Sequence, residues 1–503
     1  MADYLKATLK ARVYDVAVET PLELARRLSA RMDNTVLFKR EDLQPVFSFK
    51  IRGAYNKLMN LPVEELGRGV ICSSAGNHAQ GVALAARELG VRAVVVMPKA
   101  TPRIKVEAVD GYGAETILHG DDYDAAYEHA LQLAAEQGLS FVHPFDDPDV
   151  IAGQGTIGME ILRQHNGPPD AIFVPVGGGG LISGIAAYTK SLFPEIRVIG
   201  VEPKDSASMH AALGAGRPVT LDRVGIFADG VAVRRVGDET FRLCRQYVDE
   251  ILLVGTDELC AAIQDIFEDT RTIVEPAGAL AVAGMKRYVE STGSRNLSFV
   301  TVNCGANLNF DRLRYIAERA ALGENRETLL AVEIPEQKGS FLEFCSALGA
   351  RNITEFNYRY SGPETAHIFV GVELGGGANE AVAVLDQLRT AGYEPVDLSG
   401  NEFAKLHVRY LVGGPAPGLT DERVYRFEFP ERPGALLKFL QAIGSRWNIS
   451  LFHYRNHGSD YGRVLAGIQV PDSEQQDFSQ HLKELGYPFR DETDNPAYRM
   501  FLT

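Results

Sequence analysis

The sequence lacks any apolar run long enough to cross a membrane. Although 45% of its 503 residues are hydrophobic, runs such as residues 94–97 and 171–176 fall far short of the ~20 residues that span a bilayer. The first ten residues also lack the apolar core of a secretion signal. We therefore expect a cytoplasmic protein without a membrane partner.

Cysteine and basic residues are also scarce. The five cysteines are scattered without the spacing of a disulfide framework or a zinc site. The 51 Lys and Arg residues are outnumbered by 66 Asp and Glu residues, which gives a formal net charge of −15. Broad binding to nucleic acid requires clustered basic residues. We expect a reducing compartment, no metal and no nucleic-acid partner.

Length and periodicity predict an α/β protein of several domains. A chain of this length corresponds to about two to four domains. From about residue 36 to residue 310, short β-rich runs alternate with Ala- and Leu-rich stretches of helix length, which indicates open, mainly parallel sheets covered by helices. Ligands usually bind beyond the carboxyl ends of such strands. The loops at residues 73–80, 177–180 and 303–309 are therefore candidate sites.

The last third of the chain contains an internal repeat. A segment that begins at Ile334 matches one that begins at Phe429, at a spacing of 95 and then 96 residues. Each copy reads strand, helix, strand, strand, which fits a ferredoxin-like split βαβ module. The polar joins at residues 323–327 and 412–419 suit exposed connections. We expect domains at residues 1–326, 327–400 and 423–503.

Lys50 stands in the segment SFKIRGA, before a predicted helix. An amine with an unperturbed pKa of ~10.4 is mostly protonated, so Schiff-base chemistry requires burial or a neighbouring cation. Phe49, Ile51 and Arg52 could supply both. A single lysine of this kind is more commonly a surface residue, so its interpretation depends on the other loops.

Four consecutive glycines, from Gly177 to Gly180, lie between a β-rich run and a predicted helix. Glycine permits positive φ and close backbone approach, so several N–H donors and the positive end of the helix can converge on one anion. Glu202 resembles the ribose-binding acid of a dinucleotide site, but the glycine spacing fits neither that fingerprint nor a nucleoside-triphosphate loop. We predict a monophosphate site.

Two other loops follow predicted strands. In SSAGNHAQG, beginning at Ser73, serine and asparagine could bind a carboxylate at a helix N-terminus, and an ordinary helix cap fits equally well. In NCGANLNF, Cys304 is either a small buried hydrophobe or a weak hydrogen-bond partner. Neither segment decides a function alone.

Together and in this order, the four segments resemble the fold type II pyridoxal-phosphate enzymes, specifically the serine/threonine dehydratases. The resemblance implies that Lys50 carries the cofactor as a Schiff base and acts as acid and base at the substrate Cα. It implies that Asn77 contacts the pyridoxal 3′-oxygen and that Cys304 lies at the pyridine nitrogen. The other implied cofactor residues are Phe49, Gly177, Gly178, Gly179, Gly180 and Leu181. The implied substrate-binding residues are Ser73, Ser74, Ala75, Gly76, Asn77 and His78.

Cys304 bears on the choice of reaction. A thiol with a pKa of ~8.5 is mostly neutral and stabilises a protonated pyridine nitrogen poorly, which favours prompt elimination. A β-hydroxy amino acid that loses water yields a 2-oxo acid and ammonia after hydrolysis. Serine racemases resemble this chain in these loops, but they carry a serine at the position of Ala75. Their metal pattern is incomplete here, because Ser208 replaces an aspartate six residues after Glu202.

The repeat resembles the paired ACT-like regulatory domains of biosynthetic threonine deaminases. That layout implies conversion of L-threonine to 2-oxobutanoate, the first step of isoleucine biosynthesis, with inhibition by isoleucine, opposition by valine, and a homotetramer. The alternatives are a serine racemase or serine-specific dehydratase, an oligomerisation role for the repeat, and a non-catalytic amino-acid sensor. The candidate effector residues are Phe356, Tyr358, Phe452 and Tyr454.

Overall fold

The computed structural model describes residues 3–416, 418–430, 435–443, 446–455 and 461–502. The chain forms two compact units, Met1–Gly323 and Glu324–Thr503. Within the described ranges, no helix has the length and apolar character that a membrane crossing requires.

The first unit contains two open sheets. Its strands are β1 (Leu22–Leu24), β2 (Thr35–Lys39), β3 (Val70–Ser73), β4 (Ala93–Met97), β5 (Glu115–Leu118), β6 (Ser140–Phe141), β7 (Ala171–Pro175), β8 (Arg197–Pro203), β9 (Glu250–Val254) and β10 (Ser298–Val302). One sheet has the order β1-β2-β10-β7-β8-β9, and only its β1–β2 pair is antiparallel. The other, β5-β4-β3-β6, is parallel throughout. The expected architecture is confirmed.

Helices cover these sheets. They are α1 (Tyr4–Lys10), α2 (Arg26–Met32), α3 (Lys50–Asn60), α4 (Val63–Arg68), α5 (Asn77–Leu89), α6 (Arg103–Asp110), α7 (Tyr123–Gln137), α8 (Pro148–Gln164), α9 (Gly180–Leu192), α10 (Ser208–Ala215), α11 (Asp238–Tyr247), α12 (Thr256–Thr270), α13 (Pro276–Thr292) and α14 (Arg312–Gly323). Strands β4 and β7 are buried at every residue, as expected between two helical layers. The six-stranded sheet shares one core cluster, and alternate residues of β3 and β4 enter two others.

The second unit is built on one antiparallel sheet. Its strands are β11 (Glu327–Pro335), β12 (Ile353–Arg359), β13 (Thr365–Glu373), β14 (Val396–Asp397), β15 (Glu422–Pro430), β16 (Asn448–Arg455), β17 (Tyr461–Gln469) and β18 (Phe489–Asp491). Its helices are α15 (Ser340–Leu348), α16 (Ala378–Thr390), α17 (Glu402–Leu406), α18 (Ala435–Ile443), α19 (Gln475–Leu485) and α20 (Pro496–Phe501). The strand order is β14-β11-β13-β12-β16-β17-β15-β18, with antiparallel neighbours.

Each repeat has the ferredoxin-like order βαββαβ, which confirms the prediction. The repeats meet where β12 pairs with β16, so that Phe356 lies opposite Tyr454 and Tyr358 lies opposite Phe452. All four side chains are buried in the shared hydrophobic core. The candidate effector residues therefore lie in the packing that joins the repeats.

Candidate active site

Lys50 is the first residue of α3, and its side chain is half-buried. The Nζ atom donates to the carbonyl of Pro144 at 3.0 Å and lies 5.3 Å from the centre of the Phe49 ring. Burial lowers the pKa of Lys50 to about 8, while Cys304 and Glu275 act in the opposite direction. A substantial fraction of the amine is therefore neutral near physiological pH.

Arg52 does not supply the neighbouring cation that the sequence suggested. Its guanidinium contacts Glu41 at 2.8 Å through Nε and Nη2, and Glu160 at 2.5 and 2.9 Å through Nη1 and Nη2. All three side chains are fully buried. Because two carboxylates balance its charge, we attribute the lowered pKa of Lys50 to burial. Arg52 instead ties the first turn of α3 to its surroundings.

The four glycines connect the end of β7 to the first residue of α9, where larger residues would not fit. A methyl group on Gly178 would lie 2.3 Å from the Phe145 ring, and one on Gly180 would lie 2.9 Å from the Phe145 carbonyl oxygen. Gly179 has a φ of +94°, a left-handed conformation that favours glycine. Since α9 begins at Gly180, its unpaired first N–H groups and positive end are available to an anion. Leu181 is buried in the first turn.

Thr240 supports this loop, and the sequence analysis missed it. Its Oγ1 donates to the carbonyl of Gly178 at 2.7 Å, and its Cβ lies 2.9 Å from the position of a methyl group on Gly179. Thr240 belongs to α11, far along the chain from the glycines. No short-range pattern could have indicated this contact.

The loop after β3 leads into α5, which begins at Asn77. Ser73 is fully buried, and its Oγ has no hydrogen-bond partner among the described residues. Gly76 donates its N–H to Ser74 Oγ at 3.3 Å, and Ala75 is partly buried beside it. The loop thus combines an unpaired hydroxyl with the positive end of a helix, which is the arrangement expected at a carboxylate site.

His78 is the second residue of α5, and its side chain is buried and neutral. Its Nε2 is 2.9 Å from the carbonyl oxygen of Val142, and this acceptor means that Nε2 carries the hydrogen. Burial lowers the pKa of His78 to about 3. Its side chain therefore packs α5 against the segment after β6.

Asn77 contacts Asn307, which lies in the candidate loop at residues 303–309, and Glu275, which was not predicted from the sequence. Its Nδ2 donates to Glu275 Oε1 at 2.7 Å, and its Oδ1 accepts from Asn307 Nδ2 at 2.7 Å. Glu275 is the N-cap of α13 and only 4% exposed, and burial raises its pKa to about 7. The available sequence signal was an acidic residue directly before Pro276, a pattern that favours a helix start.

Cys304 lies beside Lys50 because the chain after β10 binds the segment before α3. The N–H of Phe49 donates to the Cys304 carbonyl at 3.2 Å, and Ser48 forms an antiparallel bridge with Gly305. The Cys304 thiol is buried and donates to the carbonyl of Ala277 at 3.4 Å. Burial raises its pKa well above the ordinary value, so the thiol is neutral.

The Glu202 carboxylate accepts hydrogen bonds from the nearby main chain. Its two carboxylate oxygens accept from the N–H groups of Met209 and His210, each at 2.8 Å, at the start of α10. Within the described residues, no cluster of three or more His, Cys, Asp or Glu side chains forms a metal site.

These features fit an aldehyde cofactor that bears a phosphate. The glycine loop and the start of α9 suit the phosphate, and the lowered pKa of the Lys50 amine suits the aldehyde. The unpaired Ser73 hydroxyl leaves a polar contact for a ligand. A neutral Cys304 thiol suits the neighbourhood of an uncharged ring nitrogen.

Two family models match the chain. Residues 13–305 match the pyridoxal-phosphate dependent enzyme family. Residues 318–408 and 414–502 match the C-terminal regulatory domain of threonine dehydratase. The matches follow the catalytic region and the two repeats in turn.

Relatives extend the match over the whole chain. A protein of Burkholderia multivorans named L-threonine dehydratase biosynthetic IlvA is 58% identical over 504 residues, covering 100% of this chain and 99% of that protein. Its namesake in Escherichia coli is 56% identical over 501 residues, covering 100% and 97%. The solved structure of processed threonine deaminase isoform 2 from Solanum lycopersicum has a TM-score of 0.62 and 50% identity, covering 63% of this chain and 88% of that one. The chain therefore belongs to the biosynthetic threonine dehydratase family, with a pyridoxal-phosphate-dependent catalytic region followed by regulatory domains.

Proposed function

We propose that this protein deaminates L-threonine to 2-oxobutanoate and ammonia by eliminating water, as the first step of isoleucine biosynthesis. The observation that carries the substrate assignment is the 56–58% identity to named threonine dehydratases across the catalytic region and both regulatory repeats. The contact of the Lys50 amine with the Pro144 carbonyl and the packing of the glycine loop against Phe145, the next residue, support the chemistry.

The proposed site distributes binding among several loops. Bound pyridoxal phosphate supplies an electron sink for the pair released at the substrate Cα. The N–H groups of the loop from Gly177 to Leu181 hold the phosphate, and Asn77 and Phe49 contact the cofactor. Cys304, whose buried thiol is neutral, would lie near the ring nitrogen and would add no counter-charge. Residues 73–78, at the positive end of α5, hold the substrate carboxylate.

Lys50 is the proposed attachment point and the group that moves the proton at Cα. A pKa of about 8 leaves enough neutral amine at physiological pH to accept that proton. The Pro144 carbonyl orients Nζ, and the Phe49 ring lies against it, with its centre 5.3 Å away. The protonated amine can then return the proton to a reaction product.

The proposed regulation is inhibition by isoleucine and relief by valine. The proposed domain bounds are residues 1–326, 327–400 and 423–503, and the division into two compact units after Gly323 supports the first of these boundaries. Phe356, Tyr358, Phe452 and Tyr454 remain the proposed effector residues; because they are buried, they would act through the packing of β12 on β16. We also propose that the protein is cytoplasmic and forms a homotetramer. Sedimentation analysis can test the oligomeric state.

The decisive experiment combines an assay with chemical trapping. Purified protein should be yellow and should form 2-oxobutanoate from L-threonine. Borohydride reduction followed by peptide mapping should place the cofactor on the peptide that contains Lys50. Trapping on another lysine would contradict the site, and absence of threonine turnover would contradict the function.

A further inference from the structure

Asn77 is held by a chain of hydrogen bonds whose direction is set by a main-chain carbonyl. The carbonyl of Val46 can only accept, so Asn307 Nδ2 donates to it at 2.8 Å. The second hydrogen on that nitrogen donates to Asn77 Oδ1 at 2.7 Å. The oxygen of the Asn77 amide therefore faces Asn307, and its nitrogen faces Glu275 Oε1 at 2.7 Å.

This series of hydrogen bonds disfavours a flipped Asn77 amide. A flip would bring the Asn77 nitrogen against the Asn307 donor and would remove the hydrogen bond that Glu275 accepts now. A protonated Glu275 could donate to the flipped Asn77 oxygen, but the Asn77 nitrogen would still face the Asn307 donor. In the observed orientation one Asn77 hydrogen is used by Glu275, so a single N–H is left for a ligand.

The surroundings keep the Glu275 carboxyl group in place. The Glu275 main chain occupies the N-cap position of α13, and its N–H donates to the carbonyl of Gly305 at 3.1 Å. A methyl group on Gly305 would lie 2.4 Å from Glu275 Oε1, and one on Gly230 would lie 3.5 Å from it. The carboxyl group is thus enclosed by backbone that only glycine permits at Gly305.

We propose that Glu275 and Asn307 are positioning residues that lock the Asn77 amide with its remaining N–H toward the ring oxygen of the cofactor. The inference rests on the proposed function. An N–H donor stabilises an anionic oxygen, whereas an amide oxygen in its place would repel it. The lock thus selects the ionised state of the ring oxygen and the orientation of the ring.

The test uses the holoenzyme and three variants in this lock. Glu275→Ala removes the acceptor and Asn307→Ala removes the donor, whereas Glu275→Gln retains an acceptor oxygen. The measurements are the absorbance spectrum of bound cofactor, the separate values of kcat and KM for threonine, and the Tm. We expect both alanine variants to shift the spectrum and lower kcat about tenfold with a smaller change in KM. Glu275→Gln should keep the wild-type spectrum.

Asn56→Ala provides the matched control. Asn56 is a buried asparagine of α3 that accepts from the N–H of Arg12 at 2.9 Å and donates to the carbonyl of Asp149 at 2.7 Å. Its variant should lower Tm and leave the cofactor spectrum unchanged. The control thus distinguishes the effect of losing the hydrogen bonds of a buried amide from the effect of losing the contacts that orient Asn77.

Two results would overturn the inference: wild-type spectra in the alanine variants, or a Glu275→Gln spectrum that matches Glu275→Ala. If Glu275→Ala does not fold, the half-buried Asn307 provides the same test through Asn307→Ala. Wild-type protein that shows neither cofactor absorbance nor threonine turnover would instead contradict the proposed function, and this inference with it.

Discussion

The main-chain N–H of Phe49 donates to the carbonyl of Cys304 at 3.2 Å. This bond joins the residue before Lys50 to the loop that follows β10, near the other end of the catalytic unit. The buried thiol and the reactive amine are neighbours because of it. The site is therefore assembled from separate segments, and each segment can be tested by its own substitution.

Lys50→Ala should abolish threonine turnover without unfolding the protein. Loss of the group that attaches the cofactor and moves the proton should lower kcat by at least about 10³-fold. Activity is measured as 2-oxobutanoate formation, and circular dichroism checks the fold. A folded variant with near wild-type turnover would show that another group carries the chemistry.

Gly178→Ala should weaken cofactor binding because the new methyl group would lie 2.3 Å from the Phe145 ring. We expect at least about a tenfold rise in the dissociation constant, measured by fluorescence, since the loop must shift away from the phosphate. Gly67→Ala is the control: nothing lies within 4 Å of its added methyl group in α4. It should bind the cofactor normally, and equal binding by both variants would contradict a phosphate site in the glycine loop.

The reaction of cofactor-free protein with pyridoxal phosphate should accelerate as pH rises toward about 8. Burial lowers the pKa of Lys50 from 10.5 to about 8, and only the neutral amine is nucleophilic. Below that pKa the rate should rise about tenfold per pH unit, and above it the rate should level off. Stopped-flow absorbance measures the rate. A rise that continues unchanged to pH 10 would indicate an unperturbed lysine.

Arg52→Met should destabilise the catalytic unit strongly. The substitution leaves the fully buried Glu41 and Glu160 without the guanidinium that bridges them, at a cost of about 3–5 kcal/mol in the free energy of unfolding. Urea denaturation measures the loss. Arg103→Ala, which removes an ion pair whose arginine side chain is 90% exposed, should leave stability unchanged. An equal loss of unfolding free energy in the two variants would contradict a special role for the buried ion pairs of Arg52.

Isoleucine should raise the threonine concentration needed for half-maximal rate, and valine should oppose it. A coupling free energy of ~1–3 kcal/mol corresponds to a change of about 5- to 150-fold. Deleting Glu324–Thr503 should remove the response, measured as initial rates with and without isoleucine. A folded, active truncation that still responds to isoleucine would place the effector site in the catalytic unit.

The secondary-structure pattern predicted the central strands better than the edges. Fully buried β4 and β7 stand out as continuous apolar runs. By contrast, β1 and β6 are edge strands of three and two residues, too short to produce a periodic signal. The repeat was visible because its spacing is nearly constant, but the pairing of β12 with β16 depends on long-range contacts.

The amino-acid sequence by itself determined the four chemical segments, their order on parallel strands, and the duplicated C-terminal module, because these depend on local spacing and periodicity. Only the tertiary structure decided which distant groups meet. In the structure Arg52 pairs with Glu41 and Glu160. Thr240 donates a hydrogen bond to the glycine loop. Glu275 and Asn307 each form a hydrogen bond with the Asn77 amide. Such contacts follow from how helices and loops pack across the sheets, and no local pattern encodes them.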